Sequence, residues 1–283
     1  MIISIASGKG GTGKTTVATN LALSLGKEVG LLDCDVEEPN AHLFLQPEIE
    51  DRQRVAVFVP EVDRQACTLC RKCVDICRFS ALAVAGSSLL VFPELCHGCK
   101  GCLQVCPEGA IVAAEREIGE VEKGSCGSIR FSAGRMRIGE AMSPPLIKEV
   151  RSREKECDIT IIDAPPGTSC PVIVAMKDTD FVLLVTEPTP FGLHDLKLAA
   201  EAVKILGIPC GLVINRANLG DEGVSNYAAE EGIPILMEIP FDRQIAEAYS
   251  KGVAFVELFP EWADRFRGLY AEIEKYAVAE KES

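Results

Sequence analysis

The sequence predicts an α/β fold: a mostly parallel sheet with helices on both faces, into which a small α+β module is inserted. Three observations predict it. Continuous apolar runs alternate with helical patterns in both the first and the last parts of the chain, as in a parallel sheet covered on both faces. A glycine-rich segment, 7–13, follows one such run and opens a helix. Eight of the thirteen cysteines crowd into residues 67–106, in two copies of one spacing.

Residues 2–6 read as a strand, 7–13 as a loop and 14–26 as a helix. A second apolar run, 29–32, ends in acidic residues, and 54–59 is β-branched and apolar, a third strand candidate. From 61 to 115 the character changes to closely spaced cysteines and a duplicated motif, so the insert is drawn at 61–115 and the surrounding domain at 1–60 and 116–283. Beyond it, 128–131 and 135–138 flank Ala133-Gly134 and read as a hairpin. A helical pattern follows at 145–155. Strands are then expected at 158–163, 181–186, 211–215 and 235–239, with helical periodicity at 193–206 and 224–231. In the tail, Trp262, Phe266, Leu269, Tyr270, Ile273 and Tyr276 share one helical face, which reads as a helix docked on the core rather than a membrane-targeting one.

Composition narrows the class. Hydrophobic residues make up 47% and charged residues 25%, the balance of a globular protein. A net charge of −13 argues against nucleic acid and against stable docking on anionic lipid, since both need a basic surface. The opening residues lack the pattern of a signal peptide and no apolar run reaches membrane-spanning length, so a cytoplasmic location is expected. Many cysteines without an export signal point to metal rather than disulfides.

Gly8-Lys9-Gly10-Gly11-Thr12-Gly13-Lys14-Thr15-Thr16 has the strand–loop–helix setting of a P-loop. Its glycines let backbone N–H groups fold around phosphate at the positive end of a helix. Lys14 supplies the cation to the β/γ-phosphates of ATP, and the Thr15 hydroxyl is placed to ligate Mg²⁺. Leu31-Leu32-Asp33-Cys34-Asp35 and Ile161-Ile162-Asp163-Ala164-Pro165-Pro166-Gly167 each end an apolar strand in carboxylate. The second reads as a Walker B segment in which Asp163 holds Mg²⁺ and Gly167 can turn its N–H to the γ-phosphate.

Cys67-x₂-Cys70-x₂-Cys73-x₃-Cys77 and Cys96-x₂-Cys99-x₂-Cys102-x₃-Cys106-Pro107 repeat at an offset of 29 residues. This is the spacing of two [4Fe–4S] clusters, in which three thiolates grip one cubane and the fourth crosses to the other. Cluster I is therefore expected on Cys67, Cys70, Cys73 and Cys106, and cluster II on Cys96, Cys99, Cys102 and Cys77. Zinc sites use four ligands as two short pairs, which suits this pattern less well. Arg78 stands where proline usually follows the fourth cysteine.

Together these residues resemble the MinD-superfamily P-loop ATPases with an inserted ferredoxin domain, over essentially the whole chain. The resemblance implies a deviant Walker A, shared with the nitrogenase iron protein, in which Lys9 crosses a homodimer interface to the partner's nucleotide. It also implies that Asp35 positions the attacking water, that Asp33 supports the metal, and that Asn215 and Pro240 lie in the adenine-contacting segments. Mg-dependent ATP hydrolysis is the implied reaction. Coupling of the nucleotide cycle to electron transfer through the clusters, with a protein donor or acceptor, is the main functional expectation. The alternative is assembly or insertion of an Fe–S or other metal cofactor into a client, although the scaffold ATPases carry a C-terminal Cys-x₂-Cys and none follows Cys106. A positioning ATPase with redox-sensing clusters is a third reading. Cys170 lies seven residues beyond Asp163, where the nitrogenase iron protein places its bridging-cluster cysteine, so Cys170, together with Cys126, is a candidate for a further intersubunit site. Cys34, Cys157 and Cys210 read as core or strand positions.

Overall fold

The computed structural model describes residues 1–279. The order is β1 (Ile2–Ala6), α1 (Lys14–Ser24), β2 (Val29–Asp33), α2 (Ala41–Leu45), β3 (Glu48–Val62), α3 (Lys72–Ile76), β4 (Leu82–Ala85), β5 (Ser88–Val91), α4 (Gly101–Val105), β6 (Ile111–Cys126) and β7 (Ile129–Met136). It continues with α5 (Pro144–Arg151), β8 (Thr160–Asp163), α6 (Cys170–Met176), β9 (Phe181–Thr186), α7 (Pro190–Leu206), β10 (Cys210–Asn215), α8 (Gly223–Glu231), β11 (Ile235–Ile239), α9 (Arg243–Ser250), α10 (Phe255–Leu258) and α11 (Pro260–Ala279). Contacts divide the chain into two units. One comprises Met1–Arg52, Val121–Arg135 and the chain from Ile147; the other comprises Gln53–Glu120 with Met136–Leu146.

Nine strands form one sheet in the order β11-β10-β9-β1-β8-β2-β7-β6-β3. The pairs from β11 across to β7 are parallel, so the fold is α/β and the sheet mostly parallel. The runs Ile3, Ile5, Leu31, Ile161, Phe181, Leu183 and Val213 are fully buried, which explains why these strands read as continuous apolar stretches. On α11, Trp262, Phe266, Leu269, Tyr270 and Ile273 join this core. Tyr276 does not; it is exposed, and Ala277, one position on, is buried instead.

The hairpin expected across Ala133-Gly134 is absent. Both residues lie buried inside β7, which runs unbroken beside β2 with Val29 opposite Ile129 and Asp33 opposite Ala133. Small residues that resemble a turn serve here as tightly packed sheet. The actual reversal is the two-residue link between β6 and β7, where Gly127 takes φ 57°. The strand candidate at 54–59 is the middle of a much longer strand, β3.

The second unit is a repeat in structure as well as in sequence. The end of β3, a cysteine loop, α3 and β4 are followed by β5, a cysteine loop, α4 and the start of β6. Leu69 and Gly98, Arg71 and Lys100, and Ser80 and Gly109 are pairs related by the repeat, and all six have positive φ. Its core is small: Leu82, Leu89 and Ile111 with Cys73 and Cys102.

Candidate functional site

In the first unit the strands deliver the nucleotide-site residues from their carboxyl ends, where ligands bind in open α/β sheets. Gly10, Gly11, Gly13, Lys14, Thr15, Thr16, Asp35, Asn215 and Pro240 line one cavity of about 370 Å³. Gly13 enters α1 with φ 99°, and a Cβ there would stand 2.4 Å from Asn215 Nδ2, so only glycine fits. Gly8 lies so close to the backbone of Asp195 that a Cβ would meet its carbonyl oxygen at 2.1 Å.

Lys14 is buried beside two carboxylates. Thr15 Oγ1 donates to Asp163 Oδ2 at 2.6 Å, while Asp163 Oδ1 is buried without a partner. A hydroxyl and an orphaned carboxylate oxygen meeting at the phosphate loop fit a Mg²⁺ site, since the cation or its water would satisfy that oxygen. Burial pushes Asp163 up to about 7 and Asp35 up to about 6, with Lys14 holding both lower than burial alone would. Asp33 pairs in register with Asp163. Burial and the Asp163 charge raise its pKa, and its oxygens accept from the N–H groups of Asp35, Asn40 and Ala41 at 3.0–3.1 Å. Asp33 therefore caps the turn into α2 and presents Asp35 to the cavity.

Three expected site residues make contacts of their own within the chain. Asn215 donates from Nδ2 to Thr12 O at 2.8 Å, so it braces the phosphate loop as well as lining the cavity. The Gly167 N–H donates to Ser7 O at 3.0 Å, so it is spent within the chain instead of facing a γ-phosphate; Pro166 lines the cavity in its place. Lys9 turns away from the cavity, its Nζ 3.9 Å from Glu187 Oε2, and Arg216 Nη1 lies 2.7 Å from the other oxygen of Glu187. Arg216 belongs to the same expected adenine-contacting segment as Asn215, whereas Glu187, Ile245, Tyr249 and Phe255 carry no motif that would mark them in the sequence. The apolar side chains among them line the same cavity as Pro240 and Phe241 and give it the apolar surface that a purine base would need. Asn218 holds that surface, its side chain exchanging hydrogen bonds with both backbone groups of Phe241.

In the second unit, Cys67, Cys70, Cys73 and Cys106 line one cavity, the fourth coming from the other repeat. Burial pushes the Cys73 thiol up, with Cys106 and Cys67 adding to it. At the other site burial does the same for Cys102, with Cys96 and Cys99 adding, and Cys77 packs against the small cluster of Cys96, Val59 and Ala81. Among the described residues no three Cys, His, Asp or Glu side chains converge on a single ion position. Thiolates ringing a cavity are what a cubane requires, because each takes its own iron. Positive φ on either side of Cys70 and of Cys99 alternates the backbone direction, a geometry that turns N–H groups inward on anionic sulfur. Gly98 N approaches Cys96 Sγ at 3.5 Å and Ala110 N approaches Cys106 Sγ at 3.2 Å.

The remaining cysteines all belong to the first unit. Cys170 is exposed at the start of the seven-residue α6, beyond the carboxyl end of β8. Cys126 ends β6 at the opposite end of the sheet's strands, half-buried against the core, so the two do not form a common site within the chain. Cys34 is buried, and Cys157 and Cys210 are half-buried at the entrances to β8 and β10.

The sequence profile of the CobQ/CobB/MinD/ParA nucleotide-binding domain matches residues 3–255. An uncharacterized protein of Methanocaldococcus jannaschii is 32% identical over 263 residues, covering 91% of this chain and 92% of its own length. An iron-sulfur cluster carrier protein of the same organism is 27% identical, covering 99% of this chain and 86% of its own. Among solved structures, the cell division ATPase MinD of Pyrococcus furiosus aligns with a TM-score of 0.58 at 26% identity, covering 97% of this chain and 98% of that one. With a phosphate loop, two strand-end carboxylates and this match across nearly its whole length, the chain belongs to the CobQ/CobB/MinD/ParA family of P-loop ATPases.

Proposed function

We propose that the chain is a Mg-dependent ATPase that holds two [4Fe–4S] clusters and uses its nucleotide cycle to deliver an iron–sulfur or other metal cofactor to a client protein. The observation that carries this reading is the meeting of Cys67, Cys70 and Cys73 with Cys106 of the other repeat around one cavity, in a P-loop ATPase. The relative named as an iron-sulfur cluster carrier supports delivery over permanent wiring.

Lys14 and the loop amides bind the β/γ-phosphates, and Thr15 and Asp163 are the residues that would hold Mg²⁺. Bound there, the cation would neutralise charge developing on the transferred phosphoryl group. Asp35 orients the attacking water. Lys9 leaves Glu187 and crosses to the partner's nucleotide as two chains close into a homodimer. Cys77 and Cys106 tie the two cysteine repeats together through the crossed ligation. On this reading the protein works in the cytoplasm, where thiols stay reduced.

Electron transfer is the second reading, favoured by the two complete four-cysteine sets, which suit a fixed redox wire. Anaerobic reconstitution followed by incubation with an apo-[4Fe–4S] acceptor, in ATP-trapped and ADP states, separates the two. Iron and sulfide that move to the acceptor faster in one nucleotide state support delivery. Clusters that stay put, with a potential that shifts with nucleotide, contradict delivery and favour electron transfer. Lys9→Ala is expected to bind ATP yet hydrolyse it slowly and remain monomeric; normal hydrolysis contradicts the dimer step.

A further inference from the structure

The two cysteine repeats are alike in backbone but not in what surrounds them. In the set formed by Cys96, Cys99, Cys102 and Cys77, the ring of His97 stacks on that of Phe79, with centroids 3.6 Å apart and planes 10° from parallel. His97 lies between Cys96 and Cys99, and Phe79 lies two residues after Cys77. The stack therefore joins the two segments that supply this set. On the same loop Lys100 Nζ sits 5.9 Å from the centre of the Phe58 ring, a second lateral support. Cys96 is itself buried against Val59 and Ala81.

The repeat places Thr68 and Glu108 where this set has His97 and Phe79, and Arg71 where it has Lys100. All three line the cavity of Cys67, Cys70, Cys73 and Cys106. Threonine and glutamate cannot stack. No ring pair therefore ties the two segments of this set together, and Cys67 is less buried than its counterpart Cys96.

We infer that the two sites have different tasks: the set of Cys67, Cys70, Cys73 and Cys106 takes up and gives up its cluster, while the set of Cys96, Cys99, Cys102 and Cys77 keeps its own because the Phe79–His97 stack ties its two ligand segments together. The inference rests on the delivery reading above and says which site carries the cargo. Release is a ligand exchange without change of oxidation state. Four bonds from iron to Cys67, Cys70, Cys73 and Cys106 break and four form to acceptor thiols, whose protons pass to the freed thiolates. Access of acceptor thiols to the iron sets its rate. Segments that no stack ties move apart to admit them, whereas a stacked pair must separate first.

The test is iron release from the anaerobically reconstituted chain to excess bathophenanthroline disulfonate. Two phases of equal iron content are expected, the slower by roughly 2- to 10-fold, the range an aromatic pair sets. Cys70→Ser should remove the fast phase. Phe79→Glu with His97→Thr, which copies the unstacked site, should bring the slow phase to the fast rate. Thr68→His with Glu108→Phe should slow the fast phase, and this variant tests the idea even if the first pair loosens the fold. A single phase in the wild type, or two phases that neither exchange moves, overturns the inference alone. A chain that takes up no iron–sulfur cluster overturns the delivery reading and the inference with it.

Discussion

Asp163 concentrates the electrostatics of the nucleotide site in one side chain, buried at a strand end with one oxygen bonded to Thr15 and the other unpartnered. Its pKa near 7 and that of Asp35 near 6 lie above the value of about 3.9 for an unfolded aspartate. Between these limits the folded chain holds protons that the unfolded chain has released. The stability these groups contribute is thus present at low pH and lost as pH rises through the folded values. Asp163→Asn removes this loss while keeping an acceptor for Thr15. In urea melts of the nucleotide-free protein, the variant should gain on wild type by roughly 1–3 kcal/mol between pH 5 and pH 8; a pH-independent difference contradicts the assignment. The same variant should lose the Mg²⁺ dependence of nucleotide affinity in calorimetry. Asn215 acts on the phosphate loop through one hydrogen bond, so Asn215→Ala should weaken ADP binding about fivefold, the equivalent of a bond worth about 1 kcal/mol. An unchanged affinity would mean the brace is idle.

At the scale of elements, strand ends and cysteine spacing were legible because the chemistry is local. A phosphate loop needs its glycines in order, and a cubane needs its thiolates at fixed intervals. The outer strands were not legible, for a physical reason. β3 opens with Glu48-Ile49-Glu50-Asp51-Arg52-Gln53-Arg54, almost wholly exposed, with no apolar alternation to report it. Polar cross-strand contacts with β6 support it instead: Arg52 to Glu122 at 3.0 Å, Lys123 to Asp51 at 3.9 Å and Ser125 Oγ to Glu50 at 2.7 Å. Ala133-Gly134 misled in the opposite sense, since small residues serve turns and crowded sheet interiors alike. The repeat offers a cleaner test of backbone conformation. Ser80 and Gly109 hold the same left-handed position, at φ 55° and 60°. Gly109→Ala should destabilise the chain by about 1 kcal/mol, and Ser80→Gly should stabilise it by a few tenths to about 1 kcal/mol, the cost of a side chain in that region less the added freedom of the unfolded glycine. Equal effects of the same sign in thermal melts would contradict the structural equivalence of the repeats.

For the whole molecule, the two kinds of site lie in two units, and the division falls within β3 and β6 rather than in a linker. Both strands continue through the boundary, so their residues are shared between the two units. What sequence alone conveyed about Asn215, Gly167 and Lys9 was their place in the motif. Their actual bonds, to Thr12, Ser7 and Glu187, are tertiary and leave no local pattern. The net charge of −13 accompanies a family membership that rests on phosphate-loop chemistry, not on a basic surface. The central claim is that one such ATPase chain carries two cubanes on eight cysteines. The most direct test counts iron and acid-labile sulfide per chain in anaerobically reconstituted protein, with Mössbauer spectra to identify the clusters. About eight irons and about eight sulfides per chain, all in [4Fe–4S] form, are predicted. Zinc without sulfide, or iron that stays near four per chain at saturation, would contradict it.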